Sequence, residues 1–257
     1  MPRRSRIESE SGYYHIITRG INKEKIFEGK HEKEAVTTLI RDKTKEETCK
    51  IAAYCIMNNH LHMIVIAEKP ALVNIMKRIN ISYAMSYNQR HERIGPVFQD
   101  RFKSENINNE RYLYGALRYI HNNPVKAGVV STAQEYKWSS MREYVYDKPG
   151  LVDREIKDNI MNRFTSRKDF IDFHTMKDET NYLEIKEEVE ELKEKRAKKI
   201  LEDYFKEKGL TEFAKLPDKD ELIIKLLTET DLSYRKIADL IGTNPNAVFR
   251  ANKKNRP

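Results

Sequence analysis

Residues 50–67, KIAAYCIMNNHLHMIVIA, constrain the fold more than any other part of the chain. Two apolar runs, 50–57 and 60–67, flank Asn58-Asn59, a pair that tolerates left-handed turn geometry. The pattern predicts two strands joined as a hairpin. His60-Leu61-His62 stands at the entrance to the second strand. Successive strand side chains point to opposite faces, so His60 and His62 project side by side while Leu61 turns away. Two parallel imidazoles on a rigid strand can grip one metal ion.

Periodicity and punctuation place the other elements. GYYHIITR (12–19) reads as a strand, and Ala35, Val36, Leu39 and Ile40 mark a helix over 31–47. A second helix spans 71–90, with Leu72, Ile75, Met76, Ile79, Tyr83 and Tyr87 on one stripe. Gly95-Pro96 ends it, and VFQDRFKSENI (97–107) reads as extended or strand. A third helix covers 109–122 and is predicted to stop before Pro124. Strands alternating with helices predict one sheet with helices packed on it. The character changes at DKPG (147–150), which reads as a linker, so a first domain is expected over 1–147. A charged helical region is expected over 148–212, its run at 184–208 read as a solvated spacer or partner-facing helix. Over 213–257, a helix at 220–229 is followed by a short helix capped by Ser233, a turn at Gly242, and another short helix ending in Arg250, Lys253 and Lys254. That order resembles a helix-turn-helix of DNA-binding regulators.

Charge sorts these parts. The chain has 48 Lys and Arg against 40 Asp and Glu. Residues 1–150 hold 25 of the bases and 17 of the acids, so the whole excess of +8 lies in the half with the His pair. A basic surface attracts polyanions, nucleic acid first. The two cysteines, Cys49 and Cys55, match neither a zinc spacing nor a disulfide framework. No run approaches the roughly 20 apolar residues of a membrane span, and MPRRSRIESE lacks the apolar segment of a secretory signal. A cytoplasmic protein without membrane contact is expected.

Taken alone, the His pair has three readings: a structural pair without ligand, part of a zinc hydrolase site, or part of a divalent-metal phosphoryl-transfer site. Met63-Ile64-Val65 follow His62, so a dense zinc cluster is absent there. The third helix supplies what phosphoryl transfer needs. Tyr119 and Asn123 are four apart and share a helix face, with the small Ala116 one turn earlier. A tyrosine hydroxyl, with an ordinary pKa of about 10, becomes a useful nucleophile against a metal-polarised phosphate. The Asn123 amide oxygen is a candidate third ligand.

His60-Leu61-His62 followed by YIHNNPVKAGVV (119–130) resembles the single-tyrosine HUH transposases, in particular the REP-associated tyrosine transposases. YHIITRGINKEKIF (14–27), GPVFQDRFKS (95–104) and YKWSS (136–140) are also similar to that family, over about residues 5–145. The resemblance implies an α+β, ferredoxin-like HUH domain with a central antiparallel sheet and packed helices, to which an all-α C-terminal region is added. It implies that His60, His62 and Asn123 bind Mg²⁺ or Mn²⁺. It further implies that Tyr119 attacks a phosphate of single-stranded DNA next to a hairpin, leaving a 5′-phosphotyrosine and a free 3′-hydroxyl. Arg3, Arg4 and Arg6 form a basic arm before the first strand, and Arg19, Arg101, Lys103 and Lys126 are candidate DNA contacts. Phe98, Phe102 and Tyr112 are candidates for base stacking. A monomer or homodimer is expected. The alternative function is a domesticated, non-cleaving DNA-binding regulator that keeps the HUH scaffold and the helix-turn-helix.

Overall fold

The computed structural model describes residues 8–176, 182–183, 186–209, 216 and 219–254. The expected basic arm at Arg3, Arg4 and Arg6 lies outside the described residues. Four strands, β1 (Tyr13–Arg19), β2 (Cys49–Ile56), β3 (His60–Ala67) and β4 (Lys103–Asn106), form one antiparallel sheet in the order β2-β3-β1-β4. β2 and β3 make the hairpin that Asn58-Asn59 predicts, with one irregularity between Ile51 and Ala53. β4 is shorter than the expected extended segment. Residues 97–99 still run beside the end of β1, where the Gln99 amide donates to the Arg19 carbonyl and the Ile21 amide to the Val97 carbonyl.

The strands are apolar on both faces because both faces are covered. Tyr14, Ile16, Leu61, Met63 and Val65 pack against α1 (Lys30–Lys45) and α2 (Lys69–Arg90) through Val36, Ile40, Leu72, Ile75 and Ile79. On the other face Ala53, Cys55 and Ile64 meet Ala116, Leu117 and Ile120 of α3 (Glu110–Lys126). Each fully buried aliphatic or aromatic side chain contributes about 1.5–3 kcal/mol.

α3 does not stop before Pro124. The Asn109 side chain caps its start by accepting from the Tyr112 amide, and the helix runs on to Lys126 with Pro124 inside it. A proline lacks only its own N–H and crowds the carbonyl four residues back, which a last turn tolerates far better than a helix centre. The Ala127 amide still closes onto Asn123 O, and Gly128, at φ +69°, turns the chain away. Asn123 is thereby held in helical register with Tyr119.

The break expected at 147 falls inside the first of two compact units, Met1–Leu183 and Glu184–Pro257. The Glu143 carboxylate accepts from the Leu151 and Val152 amides, and the Asp153 amide donates to Ile51 O, so the DKPG turn is tied back onto β2. The helices α4 (Met141–Tyr146), α5 (Arg154–Met161) and α6 (Arg167–Thr175) complete the core over α3 with Tyr144, Ile156, Ile160 and Phe170. YKWSS also lies against β2: the Ile56 amide donates to Trp138 O, the Ser140 amide to Tyr54 O, and the Tyr136 hydroxyl to Ile56 O.

Among its described residues the second unit has helices alone as regular elements: α7 (Lys186–Lys208), α8 (Lys219–Thr230), α9 (Tyr234–Ile241) and α10 (Pro245–Lys254). α7 is not a free spacer. Its Ala197 and Tyr204 are buried, with Ile200, Leu201 and Phe205 packed beside them, against Leu222, Leu226, Ile237, Ile241 and Val248. That stripe repeats every three to four residues but is masked in the sequence by the surrounding Glu and Lys. No described helix is long and apolar enough to cross a membrane.

If α6 belongs to the core of the first unit, Phe170→Ala, which empties a fully buried ring site, should cost about 3–5 kcal/mol. Thermal or urea unfolding measures this, and an unchanged melting point would detach α6 from that core.

Candidate active site

β3 and α3 bring the candidate residues together. Strand alternation puts His60 and His62 on the face that α3 covers, with ring centroids 5.0 Å apart and planes at 90°. From α3, Asn123 Oδ1 lies 3.2 Å from His60 Nε2, and the Tyr119 ring meets the His62 ring edge-on at 5.4 Å. The other His60 nitrogen, Nδ1, is 3.0 Å from Asn59 Oδ1 in the hairpin turn. The Lys126 ammonium stands 4.3 Å from the Tyr119 ring centroid, one helical repeat beyond Asn123. His60, His62, Tyr119 and Asn123 therefore form one constellation, all of them buried.

A fifth member is His15. In the β1–β3 register His15 is opposite Ile64 and Ile17 is opposite His62, so His15 reaches His62 diagonally. His15 Nε2 lies 3.1 Å from His62 Nδ1, and its ring lies 6.0 Å from that of Tyr119. Burial pushes the His15 imidazole down to about 3. His62 is also held well below the usual histidine range, first by burial and then by the neighbouring His60, His15 and Lys126. Both rings are neutral near pH 7, the form in which an imidazole ligates a metal.

The donor chemistry fits a small divalent cation. Two imidazoles and an amide oxygen bring no negative charge, so such a donor set leaves a cation's charge to be matched by an anion. Among the described residues no group of three or more His, Cys, Asp and Glu is arranged to hold a metal ion; the Asn123 amide oxygen, 3.2 Å from His60 Nε2, is the further oxygen donor at the pair.

Aromatic residues wall the site. The Tyr182 ring packs on the Tyr119 ring at 5.6 Å and on Tyr112 at 5.3 Å. Its hydroxyl lies against Gly115, where a Cβ would come within 1.7 Å of it. Nothing in the sequence signals Tyr182, which is distant in the chain and set among charged residues. The expected stacking residues divide. Phe98 and Phe102 pack into the core on the α2 side, whereas Tyr112 borders the site and donates its hydroxyl to Glu105. Packing claims the first two because the 96–102 segment must seal the end of the sheet.

The candidate DNA contacts are also spread unevenly. Arg19 is the register partner of His60, and Lys103 is the partner of Ile17 on the same face. Lys126 sits over Tyr119, whereas Arg101 lines an apolar groove with Met76, Ile81 and Ala84 of α2. His121 belongs to a separate buried network. Its Nδ1 lies 2.9 Å from His174 Nε2 and its Nε2 lies 2.7 Å from Ser140 Oγ, which braces α3 from behind.

Residues 8–123 match the family model described as "Transposase IS200 like". No curated protein sequence matches the chain. Among solved structures, one of a REP-associated tyrosine transposase bound to a REP hairpin is 16% identical, covers 71% of this chain and 96% of its own, and superposes with a TM-score of 0.51. That likeness shows a shared fold. A protein from Deinococcus radiodurans R1 assigned as a transposase is 13% identical, covers 48% of this chain and 95% of its own, with a TM-score of 0.33.

The buried imidazoles give the stability a pH dependence. His15, His62, His121 and His174 are all depressed from 6.5 by burial, His15 to about 3 and His174 to about 4. Below about 6.5 the unfolded chain binds protons that the folded chain refuses, so stability falls with falling pH, by up to about 1.4 kcal/mol per pH unit for each such group. Melting temperature should be level above pH 7 and drop steadily from pH 6.5 to 4. A flat profile across that window would contradict the burial of these rings.

Proposed function

We propose that this chain, whose residues 8–123 match the IS200-like transposase family model, is a metal-dependent endonuclease and strand transferase that cuts single-stranded DNA next to hairpins. The observation that carries the proposal is the convergence of Tyr119 and Asn123, from one face of α3, onto His60 and His62 of β3. A transposase role follows from the family. The chemistry follows from the residues.

His60, His62 and Asn123 would hold one Mg²⁺ or Mn²⁺, which when bound supplies Lewis-acid polarisation of the scissile phosphate. Tyr119 is the nucleophile. Its hydroxyl oxygen bonds to phosphorus as the bond from phosphorus to the 3′-oxygen breaks. The products are a 5′-phosphotyrosine and a 3′-hydroxyl that has taken up a proton. The phosphodiester energy is kept in the covalent link, so attack by a 3′-hydroxyl reverses the step without another energy source. Lys126 places a positive charge beside the ring on which negative charge develops. Arg19 and Lys103 line the same sheet face and suit a DNA backbone. The cytoplasm is the proposed location.

The second unit suits duplex DNA. The Ser233 side chain caps α9, and Gly242, at φ +68°, turns the chain into α10. The Asn244 side chain accepts from the Ala247 amide at the start of α10. That arrangement of two short helices across a tight turn supports a helix-turn-helix reading with α10 as the groove-reading helix. Asn246, Phe249, Arg250 and Lys253 are exposed on it, and α10 contains no acidic residue.

Incubation with an oligonucleotide carrying a hairpin and a single-stranded flank should give a covalent protein–DNA adduct on denaturing gels. Tyr119→Phe should abolish the adduct while leaving hairpin binding largely intact, and EDTA or His60→Ala should abolish cleavage. An adduct from the phenylalanine variant overturns the assignment of the nucleophile. Binding without any adduct from the wild-type chain would make the protein a non-cleaving binder. Separately, Arg250→Ala and Lys253→Ala should weaken duplex binding and reduce the slope of log K against log salt by about one unit each. An unchanged slope would remove α10 from the DNA interface.

A further inference from the structure

The two nitrogens of His62 are not equivalent in this fold. His62 Nδ1 faces His15 Nε2 at 3.1 Å, and both rings are fully buried between the sheet and α3. A neutral imidazole carries one donor and one acceptor nitrogen. Two proton arrangements therefore satisfy this hydrogen bond. When His15 Nε2–H donates, His62 carries its proton on Nε2 and has no lone pair there. When His62 Nδ1–H donates to His15 Nε2, the Nε2 lone pair of His62 is free. Only the second arrangement makes His62 a metal ligand through Nε2.

We propose that His15 is a positioning residue that accepts the Nδ1 proton of His62, fixing the ring's tautomer and orientation for cation binding. The proposal rests on the reading of His60, His62 and Asn123 as the metal site. Partners of this kind on the far nitrogen of a ligating histidine fix its tautomer and orientation, and their loss commonly costs 10–100-fold in metal affinity. What is unusual here is the partner's chemistry. It is a neutral imidazole rather than a carboxylate or a carbonyl, supplied by a different strand. The choice fits the surroundings. A carboxylate in this fully buried position would be an anion removed from water, whereas an imidazole supplies the acceptor without a charge.

The other nitrogen of His15 sharpens the point. Among the described residues His15 Nδ1 has no hydrogen-bond partner. In the metal-competent arrangement that nitrogen carries the proton and is a buried donor without an acceptor. In the other arrangement it is a bare acceptor, which a protein interior tolerates more readily. Cation binding at His62 Nε2 therefore has to draw the pair into the arrangement that leaves this buried donor unpaired. Asn59 plays the matching part for His60, since its Oδ1 lies 3.0 Å from His60 Nδ1 while His60 Nε2 faces Asn123. The metal-side nitrogens of both histidines are thus Nε2.

The test measures cation binding and proton position directly. Mn²⁺ affinity is determined by calorimetry on the full chain and on His62→Ala, His15→Leu and His15→Gln variants, with thermal unfolding of each. The Gln side chain reaches as far as Nε2 of histidine and keeps an acceptor there; Leu fills the space without one. His62→Ala should lose Mn²⁺ binding, His15→Leu should weaken it 10–100-fold, and His15→Gln should recover most of the loss. If His62→Ala binds like the wild type, the metal site itself is wrong and the proposal falls with it. If His62→Ala loses binding while folded His15→Leu retains it, the metal site stands and the role of His15 is overturned. Equal losses in Leu and Gln variants that melt like the wild type would also overturn it. Long-range ¹⁵N–¹H spectra of the Mg²⁺-loaded chain should place the His62 proton on Nδ1; a proton on Nε2 would refute the assignment.

Discussion

The seating of α3 on the His60–His62 face of the sheet is the contact on which the candidate site depends. Neither element is a site by itself. β3 offers two imidazoles on one face, and α3 offers a phenol and an amide one turn apart. Ala116, Leu117 and Ile120 press the helix onto Cys55 and Ile64, and Asn123 meets His60 across the interface. The apolar contacts supply the energy, and the polar contact sets the register. Pro124 matters here in an unexpected way. Because the helix runs through it to Lys126, Asn123 and Lys126 keep their angular relation to Tyr119.

Burial sets the electrostatics of the same interface. The rings of His15 and His62 are excluded from water, and that alone favours their neutral forms. The cost is borne by folding at low pH; the benefit is a set of unprotonated nitrogens near neutrality. Lys126 and the strand residues Arg19 and Lys103 supply the positive charge that the buried groups lack. The division is physically sensible. Neutral donors sit in the interior, where an unpaired charge is expensive, and the cations Lys103 and Lys126 are exposed to solvent.

The first unit is larger than the segment that matches the transposase family. α4, α5 and α6 lie beyond that segment, yet they complete the core over α3, and the His121–Ser140–His174 network ties them to the helix that carries Tyr119. Tyr182, at the end of this unit, covers one face of the Tyr119 ring. The C-terminal unit is a separate body with its own apolar core. Each unit thus has its own buried apolar core.

Much of this is legible in the sequence. Alternation along β3 dictates that His60 and His62 share a face, and the four-residue spacing of Tyr119 and Asn123 dictates that they share another. Both are consequences of local backbone geometry, which sequence specifies directly. The hairpin at Asn58-Asn59, the helix caps at Asn109 and Ser233 and the turn at Gly242 are local in the same sense. What sequence could not decide is non-local. The pairing of His15 with His62 depends on the register of β1 against β3, set by side chains distributed over the whole sheet. The placement of Tyr182 against Gly115 depends on how a distant segment returns to α3. The apolar stripe of α7 was obscured because charge dominates its composition, and the break expected at 147 vanished because Glu143 and Ile51 anchor the turn. Local covalent geometry determined which residues could share a face; only the packing of separate elements decided which of them meet.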